Sequence, residues 1–212
     1  MKPVLVVGGA PRLAVDAVRF LSVRASGTTA RQLAEGLRAC GVAVDLLLGS
    51  LAEPALPALR YDSRSDLEAG LRAWISAHPE GIVVMSAAIN DYEVEDVVIE
   101  ATAGAQHFPP GAKIPSGAES LVIRLKPASK VIDQLRGWGL RGPIIGFKYE
   151  AADTVIAAAE RLKERTGAAL VVANSLDGNM QALVGDGCQR FAERKALITA
   201  LIAALVGLAA RG

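Results

Sequence analysis

Small and polar side chains follow several short apolar runs of the sequence, and their types could bind a ligand. Gly8 and Gly9 follow the run at 4–7, and the other residues at the ends of such runs are Ser86, Asn90, Asp91, Phe147, Lys148 and Asn174. In an open parallel sheet, ligands bind at the carboxyl ends of the strands. We therefore expect one site at which Asp91 could hold a ribose hydroxyl or a metal. Asn174 could both donate and accept hydrogen bonds there, although either residue alone could instead form a turn or cap a helix.

Two loops of small residues predict a phosphate-rich ligand. One is Gly8-Gly9, and the other is 24–27, with Ser26 and Gly27 directly before a helix predicted to have its N-cap at Thr28 or Thr29. The first turn of a helix offers unpaired N–H groups and a partial positive charge. Small residues just before such a turn let an anion approach the backbone.

Alternating strands and helices must position these residues. The apolar patterns predict strands at 4–7, 42–48, 82–85, 121–125, 144–147 and 169–173, with a hairpin over 182–191. They predict helices over 13–21, 28–41, 65–78, 129–138, 151–165 and 193–209, the third opened by a capping box at 65–68. Residues 50–62 are predicted to be a connection. Regular alternation implies one three-layer α/β domain, a mostly parallel sheet with helices on both faces.

The segment 93–126 differs in character from the rest of the chain. It begins with Val94, Val97, Val98 and Ile99 spaced among acids, and 103–118 is rich in Gly, Pro and Ala without periodicity. We predict an exposed, mobile flap that carries Lys113.

Composition excludes several classes of function. The 212 residues are 51% hydrophobic and 21% charged, with a formal net charge of +1, so the basic excess of a nucleic-acid-binding surface is absent. The longest apolar segment, 196–210, is shorter than the roughly 20 residues of a membrane span, and no secretory leader is expected. Cys40 and Cys188 have no metal-ligand spacing to His78 or His107. We expect buried free thiols and a cytoplasmic location.

A dinucleotide-binding protein is the first alternative to test, because a strand followed by Gly8-Gly9 resembles the start of that fingerprint. The full pattern needs a third glycine and an acid at the end of the second strand. The sequence has neither, since the second strand ends in Leu48-Gly49-Ser50. An NAD(P)-linked oxidoreductase therefore remains only an alternative.

Five motifs in order carry a more specific resemblance. They are VRFLSVRASG at 18–27, SAAINDY at 86–92, KIPSG at 113–117, IIGFK at 144–148 and LVVAN at 170–174. Together, across about residues 4 to 176, the chain resembles the phosphopantothenoylcysteine synthetase (phosphopantothenate–cysteine ligase) family, in the stand-alone bacterial form without a flavin-dependent decarboxylase. The resemblance implies a Rossmann-like fold, a homodimer, and the use of CTP with Mg²⁺ to join cysteine to 4′-phosphopantothenate in coenzyme A biosynthesis.

The resemblance also assigns roles to individual residues. Lys113 stands at the position of the catalytic flap lysine, and Asp91 stands at that of the aspartate that contacts the nucleotide. Met85, Ser86 and Ala87 match the backbone stretch beside the base, and Phe147 matches the aromatic residue that packs near it. Arg161 and Arg165 stand where the family has two nucleotide-contacting lysines.

One departure from the family pattern concerns the second half of the reaction. The family has an asparagine where this chain has Val23, and that asparagine is tied to the conversion of an acyl-cytidylate into product. Valine neither donates nor accepts a hydrogen bond. A family member that binds nucleotide and pantothenate but has lost ligation is therefore a second hypothesis, unless Arg24 or Ser26 reaches the same position.

Overall fold

A computed structural model describes residues 1–52, 57–101, 104–109, 111–117 and 120–211. Its strands are β1 Val4–Gly8, β2 Leu13–Ala14, β3 Phe20–Leu21, β4 Val44–Gly49, β5 Leu59–Tyr61, β6 Ile82–Met85, β7 Tyr92–Ala101, β8 Gly104–Phe108, β9 Ser120–Pro127, β10 Ile144–Glu150, β11 Leu170–Ser175, β12 Gln181–Val184 and β13 Cys188–Arg190. Its helices are α1 Thr28–Ala39, α2 Arg64–Ala77, α3 Val131–Gln134, α4 Val155–Thr166 and α5 Arg194–Ala210.

Eight strands form the central sheet, in the order β13-β12-β11-β10-β6-β1-β4-β5. The six from β11 to β5 run parallel, whereas β12 pairs antiparallel with β11 and β13 pairs antiparallel with β12. Parallel strands need crossover helices, which cover both faces of the sheet. The predicted fold class, a mostly parallel α/β sheet with helices on both faces, is confirmed.

Two clusters of buried side chains, one on each face, hold this sheet. On one face α2, α3 and α4 pack against strand residues such as Leu5 and Val83. On the other face α1 and α5 pack against residues such as Val6 and Val84. Because neighbouring strand residues point to opposite faces, uniformly apolar strands such as β1 serve both clusters at once.

The segment predicted to be a flap is built mainly from a separate antiparallel sheet, ordered β8-β7-β9. Val97, Ile99 and Ile114 are buried there in a third cluster that also contains Val15 and Val94. The predicted strand at 121–125 is confirmed within β9, but the prediction of an aperiodic segment over 103–118 is wrong at β8. Residues 102–103, 110 and 118–119 lie outside the described part.

The helix predicted over 13–21 is wrong. Asp16 is buried, and its Oδ1 accepts hydrogen bonds from the backbone N–H groups of Val18 (2.8 Å) and Arg19 (2.5 Å). A short acidic side chain that binds the backbone in this way competes with helix formation. The chain instead makes a tight reversal between β2 and β3, which pair antiparallel. Val18, one of the apolar residues whose spacing indicated a helix, is 73% exposed.

Other sequence-based boundaries shift for local reasons. The capping box of α2 uses Ser63 and Asp66 in place of 65–68, because each side chain accepts a hydrogen bond from the other's backbone N–H. The helix predicted over 129–138 is only the four residues of α3, and the connection at 50–62 contains β5, with 53–56 outside the described residues. Cys40 and Cys188, expected to be buried, are both exposed.

Within the described ranges, no helix is both long enough and apolar enough to cross a bilayer.

Candidate active site

A cleft of about 850 Å³ opens at the carboxyl ends of β6, β10 and β11. Ten of the residues singled out from the sequence line it: Met85, Ser86, Ala87, Asn90, Asp91, Phe147, Lys148, Arg161, Arg165 and Asn174. They come from three strand ends and from α4, so the parallel sheet brings together residues far apart in sequence. This is the place where an open α/β sheet binds its ligands.

The wall at the end of β6 is held against β1 by hydrogen bonds. The backbone N–H and Oγ of Ser86 both donate to the carbonyl oxygen of Val7, at 3.0 and 2.7 Å. The backbone N–H of Ala88 donates to the carbonyl oxygen of Gly9, at 2.9 Å. These bonds fix the backbone of 86–88 at the edge of the cleft, and the lining of Met85 and Ala87 suits a flat, partly apolar group.

Two aromatic side chains enter the cleft from β10. Phe147 is half-buried and packs against the cluster that contains α1 and α5. Tyr149, two residues further along the strand, is exposed, and its hydroxyl donates to the carbonyl oxygen of Leu176 at 3.3 Å. Residues two apart on a strand share a face, so both rings lie on one side of the strand and offer a surface on which a planar base could pack.

The cleft concentrates positive charge, although the whole chain carries a net charge of only +1. Its basic side chains are Arg24, Lys130, Lys148, Arg161, Arg165 and Arg194, and its acidic side chains are Asp91 and Glu150. A cleft lined by one sign of charge attracts ligands of the opposite sign. This arrangement therefore favours a polyanionic ligand.

Three of these cations have acidic partners. Lys130 Nζ lies 2.9 Å from Asp91 Oδ1, and Lys148 Nζ lies 3.1 Å from Glu150 Oε2. Arg165 pairs with Asp133 of α3. Within the described residues, Arg24, Arg161 and Arg194 have no carboxylate within 4.0 Å. Their positive charges are therefore the ones that a ligand could neutralise.

Gly8 and Gly9, predicted to contact phosphate, do not line the cleft. The close packing around them explains why both positions are glycine. A Cβ on Gly8 would lie 2.3 Å from the Cβ of Ala30 in α1. Gly9 has a φ of +79°, and a Cβ there would lie 2.9 Å from the backbone nitrogen of Gly49. The two glycines thus let α1 and β4 approach the end of β1 closely.

Ser26 and Gly27 lie outside the main cleft as well. Gly27 is the N-cap of α1 with a φ of +74°, and Ser26 Oγ accepts a hydrogen bond from the backbone N–H of Thr28 at 3.3 Å. Ser26 lines a second, smaller hollow of about 550 Å³ together with Ser22, Val23, Arg24, Ala25 and Leu51. Arg24 borders both hollows and is the residue that joins them.

Lys113 is exposed and lies outside the lining of the cleft, to which no described residue of 93–126 contributes. Its neighbour Ile114 is 3% exposed, and the Ile114 carbonyl oxygen accepts a hydrogen bond from Arg19 Nη2 at 3.3 Å. The segment that carries Lys113 is therefore anchored on the β2–β3 reversal and not on the central sheet.

Arg194, in the first turn of α5, is a cleft residue that the sequence analysis missed. Its Nη1 donates to Asn174 Oδ1 at 2.5 Å, and its Nη2 donates to Thr29 Oγ1 at 2.9 Å. Partial burial lowers the pKa of Arg194 below its ordinary value. The sequence signal was a basic residue where the helix dipole disfavours one, but in an alanine-rich helix it resembled an ordinary solvated side chain.

Known proteins resemble this chain over most of its length. The family model described as DNA/pantothenate metabolism flavoprotein C-terminal domain matches residues 1–191. The coenzyme A biosynthesis bifunctional protein CoaBC of Thermococcus kodakarensis is 28% identical over 180 residues, which is 82% of this chain and 41% of that protein. This chain thus spans about two fifths of the length of that curated relative.

Solved structures agree on the fold. The DNA/pantothenate metabolism flavoprotein from Streptococcus pneumoniae superposes with a TM-score of 0.81 at 21% identity, covering 98% of this chain and 99% of that one. The Cab2 mutant H337A in complex with phosphopantothenate-cysteine gives a TM-score of 0.73 at 17% identity, covering 97% and 88%. The match of the family model to most of the chain establishes that this protein belongs to the DNA/pantothenate metabolism flavoprotein C-terminal domain family.

Proposed function

We propose that this protein is a CTP-dependent phosphopantothenate–cysteine ligase. The observation that carries the proposal is the basic cleft, in which the strand-end residues that match the ligase motifs meet. Two relatives support the choice, because one has a name that places it in coenzyme A biosynthesis and the other was solved with phosphopantothenate-cysteine.

In the proposed reaction, a carboxylate oxygen of 4′-phosphopantothenate attacks the α-phosphorus of CTP, and the bond to pyrophosphate breaks. The amine nitrogen of cysteine then attacks the acyl carbon of the acyl-cytidylate, and CMP leaves. Negative charge gathers on the phosphoryl oxygens in the first transition state, and positioned cations stabilise such charge better than water does. Arg161 on α4 and the flap residue Lys113 are the cations to which we assign this work.

The nucleotide base fits the apolar end of the cleft. Met85 and Ala87 offer backbone groups and small apolar surface there, and Phe147 offers its ring. Asp91, although paired with Lys130, is exposed and can accept a hydrogen bond from a ribose hydroxyl.

Magnesium fits this cleft only as an ion carried by phosphate. Mg²⁺ is usually bound through one or two carboxylates together with substrate phosphates and water. Among the described residues, no group of three His, Cys, Asp or Glu side chains could hold a metal alone, whereas Asp91 and Glu150 both line the cleft. When bound with CTP, the ion would neutralise phosphate charge, and either carboxylate would be its protein ligand.

We also propose that the protein acts as a homodimer. The apolar residues Val94, Val97, Val98 and Ile99 do not supply the dimer surface, because they are buried in the chain itself. Among the described residues of 93–126, the exposed large apolar side chains are Leu121, Val122 and Leu125 on β9. Light scattering at micromolar concentration should give the mass of two chains, and a monomer would contradict the proposal.

A turnover assay tests the function. The protein is mixed with 4′-phosphopantothenate, CTP and cysteine, and we expect release of CMP that requires cysteine. The alternative, a family member that binds these substrates without ligating them, is favoured by Val23, whose apolar side chain is 41% exposed in the smaller hollow. It predicts pyrophosphate release and a trapped acyl-cytidylate, or CTP binding alone, with no cysteine-dependent CMP.

A further inference from the structure

Arg194 carries a charge that the protein does not neutralise. Its guanidinium is half-buried, and both of its acceptors, Asn174 Oδ1 and Thr29 Oγ1, are neutral. No described carboxylate lies within 4.0 Å of it. Moving a charge out of water costs free energy unless a counter-charge or a full set of hydrogen bonds replaces the water.

The position of Arg194 in its helix adds to this cost. It is the first residue of α5, whose N-cap Glu193 makes no side-chain capping bond and whose first turn has no acidic residue. The first turn of a helix carries a partial positive charge and disfavours a cation. An anion beside the guanidinium would relieve both costs together.

The two neutral partners hold the guanidinium in a defined orientation. Asn174 ends β11 and Thr29 lies in the first turn of α1, so the three side chains join three separate elements at the edge of the cleft. They use one donor on each terminal nitrogen, and the remaining N–H donors have no acceptor among the described residues. A planar fork held in this way suits the oxygens of a phosphate group, which it can bind through two parallel hydrogen bonds.

We propose that Arg194 binds a substrate phosphate group, between the loop that carries Arg24 and the strand end that carries Asn174. This inference rests on the proposed function, in which the phosphate belongs either to the triphosphate of CTP or to 4′-phosphopantothenate. Arg24 lines the same cleft, also without a carboxylate partner among the described residues, and supplies a second cation. Arg161 lines this cleft from α4.

The test measures binding of three ligands separately by calorimetry: CTP, 4′-phosphopantothenate and inorganic pyrophosphate. Arg194→Met removes the charge and keeps most of the apolar stem, and Arg194→Lys keeps the charge without the planar fork. Arg190→Met on the exposed strand β13 is the matched control, because Arg190 does not line the cleft. We expect Arg194→Met to bind at least one ligand about tenfold or more weakly than the native protein does. Arg194→Lys should lose less affinity for that ligand, and the control should have the native affinity.

The outcomes separate the two phosphate sources and the two proposals. A loss confined to CTP assigns Arg194 to the triphosphate, and a loss confined to 4′-phosphopantothenate assigns it to that substrate. If the native protein bound neither substrate, the proposed function would fail, and weaker pyrophosphate binding by Arg194→Met would still support the phosphate site. The inference would be overturned if Arg194→Met bound every ligand as tightly as the native protein does. It would also be overturned if the native protein bound neither pyrophosphate nor either substrate.

A purely structural tether makes a different prediction for stability. If Arg194 only joins α5 to β11 and α1, Arg194→Met should lower the denaturant midpoint of unfolding and leave ligand affinity unchanged. If its charge is kept for an anion, the ligand-free variant should unfold at the same or a higher denaturant concentration than the native protein. A lowered midpoint with unchanged affinity therefore also overturns the inference.

Discussion

The cleft and the three-stranded sheet of β7, β8 and β9 are built in different ways. The cleft is the edge of a sheet packed on both faces by large clusters of buried side chains. The small sheet has its own, smaller cluster, whose buried residues are Val15, Val94, Val97, Ile99 and Ile114. Cleft residues are thus fixed by the main core, whereas Lys113 is positioned by a few side chains elsewhere.

Because of this difference, a mutation can change the position of the proposed catalytic lysine without changing the positions of the binding residues, and the reverse also holds. Ile114 joins the small cluster, and its carbonyl oxygen is held by Arg19, which pairs with the buried Asp16 at 3.3 Å. Loosening these contacts should displace Lys113 while the cleft keeps its shape. Substitutions in either region can establish or refute this separation.

The largest effect is expected for Lys113→Ala. If Lys113 meets charge that develops only in the transition state, the rate should fall by about 10²-fold or more while CTP affinity changes little. Lys126→Ala is the control, because Lys126 lies on β9 of the small sheet, pairs with Glu93 and lies outside the cleft. An equal loss of rate and CTP affinity would show that Lys113 only binds ground-state phosphate.

The same variant shows whether Lys113 serves its own cleft or that of a partner. Inactive Lys113→Ala is mixed with an inactive cleft variant that carries Asp91→Ala and Arg161→Ala. If the lysine acts across a two-fold dimer, random mixing should restore about a quarter of the native rate, because half of the dimers contain one complete site. If it acts within its own chain, neither variant chain contains a complete site in any dimer, so the mixture should stay inactive.

A smaller effect, on stability, is expected for Ile114→Ala. Removing a buried isoleucine side chain costs about 2–5 kcal/mol, and we expect the loss to appear as faster amide exchange in β7, β8 and β9 but not in β1 or β6. Ile82→Ala, in the cluster that contains α1 and α5, is the counterpart and should weaken the central sheet. Identical exchange patterns in the two variants would show that the regions unfold as one unit.

Asp16 gives a pH-dependent prediction. The backbone amides of Arg19 and Val18 donate to this carboxylate and hold its pKa below the usual 3.8. A lowered folded-state pKa adds stability above pH 3.8 that is lost as the pH falls through the folded-state value. The native protein should therefore exceed Asp16→Asn in unfolding free energy most at neutral pH, and the gap should narrow below pH 3.8. A gap that is constant with pH would contradict this.

No change in rate is expected for Val23→Asn. Arg24 and Ser26 line the same hollow as Val23 and offer the polar groups that valine lacks. Cysteine-dependent turnover should then equal that of the native protein. A rise in turnover, with first-turnover pyrophosphate release unchanged, would support the alternative that the native protein forms the acyl-cytidylate but ligates poorly.

Apolar periodicity was enough to predict the central sheet and the strand-end cleft, because β1, β6, β10 and β11 are apolar runs whose ends must meet. It failed at 13–21, where residues at helical spacing are overruled by the bonds of Asp16 to the backbone. It also could not indicate that Gly8 serves packing against Ala30, since that depends on how closely α1 approaches the sheet. Arg194 was missed because its two neutral partners lie 20 and 165 residues away in the sequence.

The central sheet ends on both sides in strands of only three residues, β5 and β13. An edge strand aggregates when it presents a long row of unpaired amide and carbonyl groups to another chain. These edges are short, and each carries an arginine, Arg60 on β5 and Arg190 on β13. We therefore expect the central sheet to resist extension by a second molecule, so that self-association of this protein would not add a strand to it.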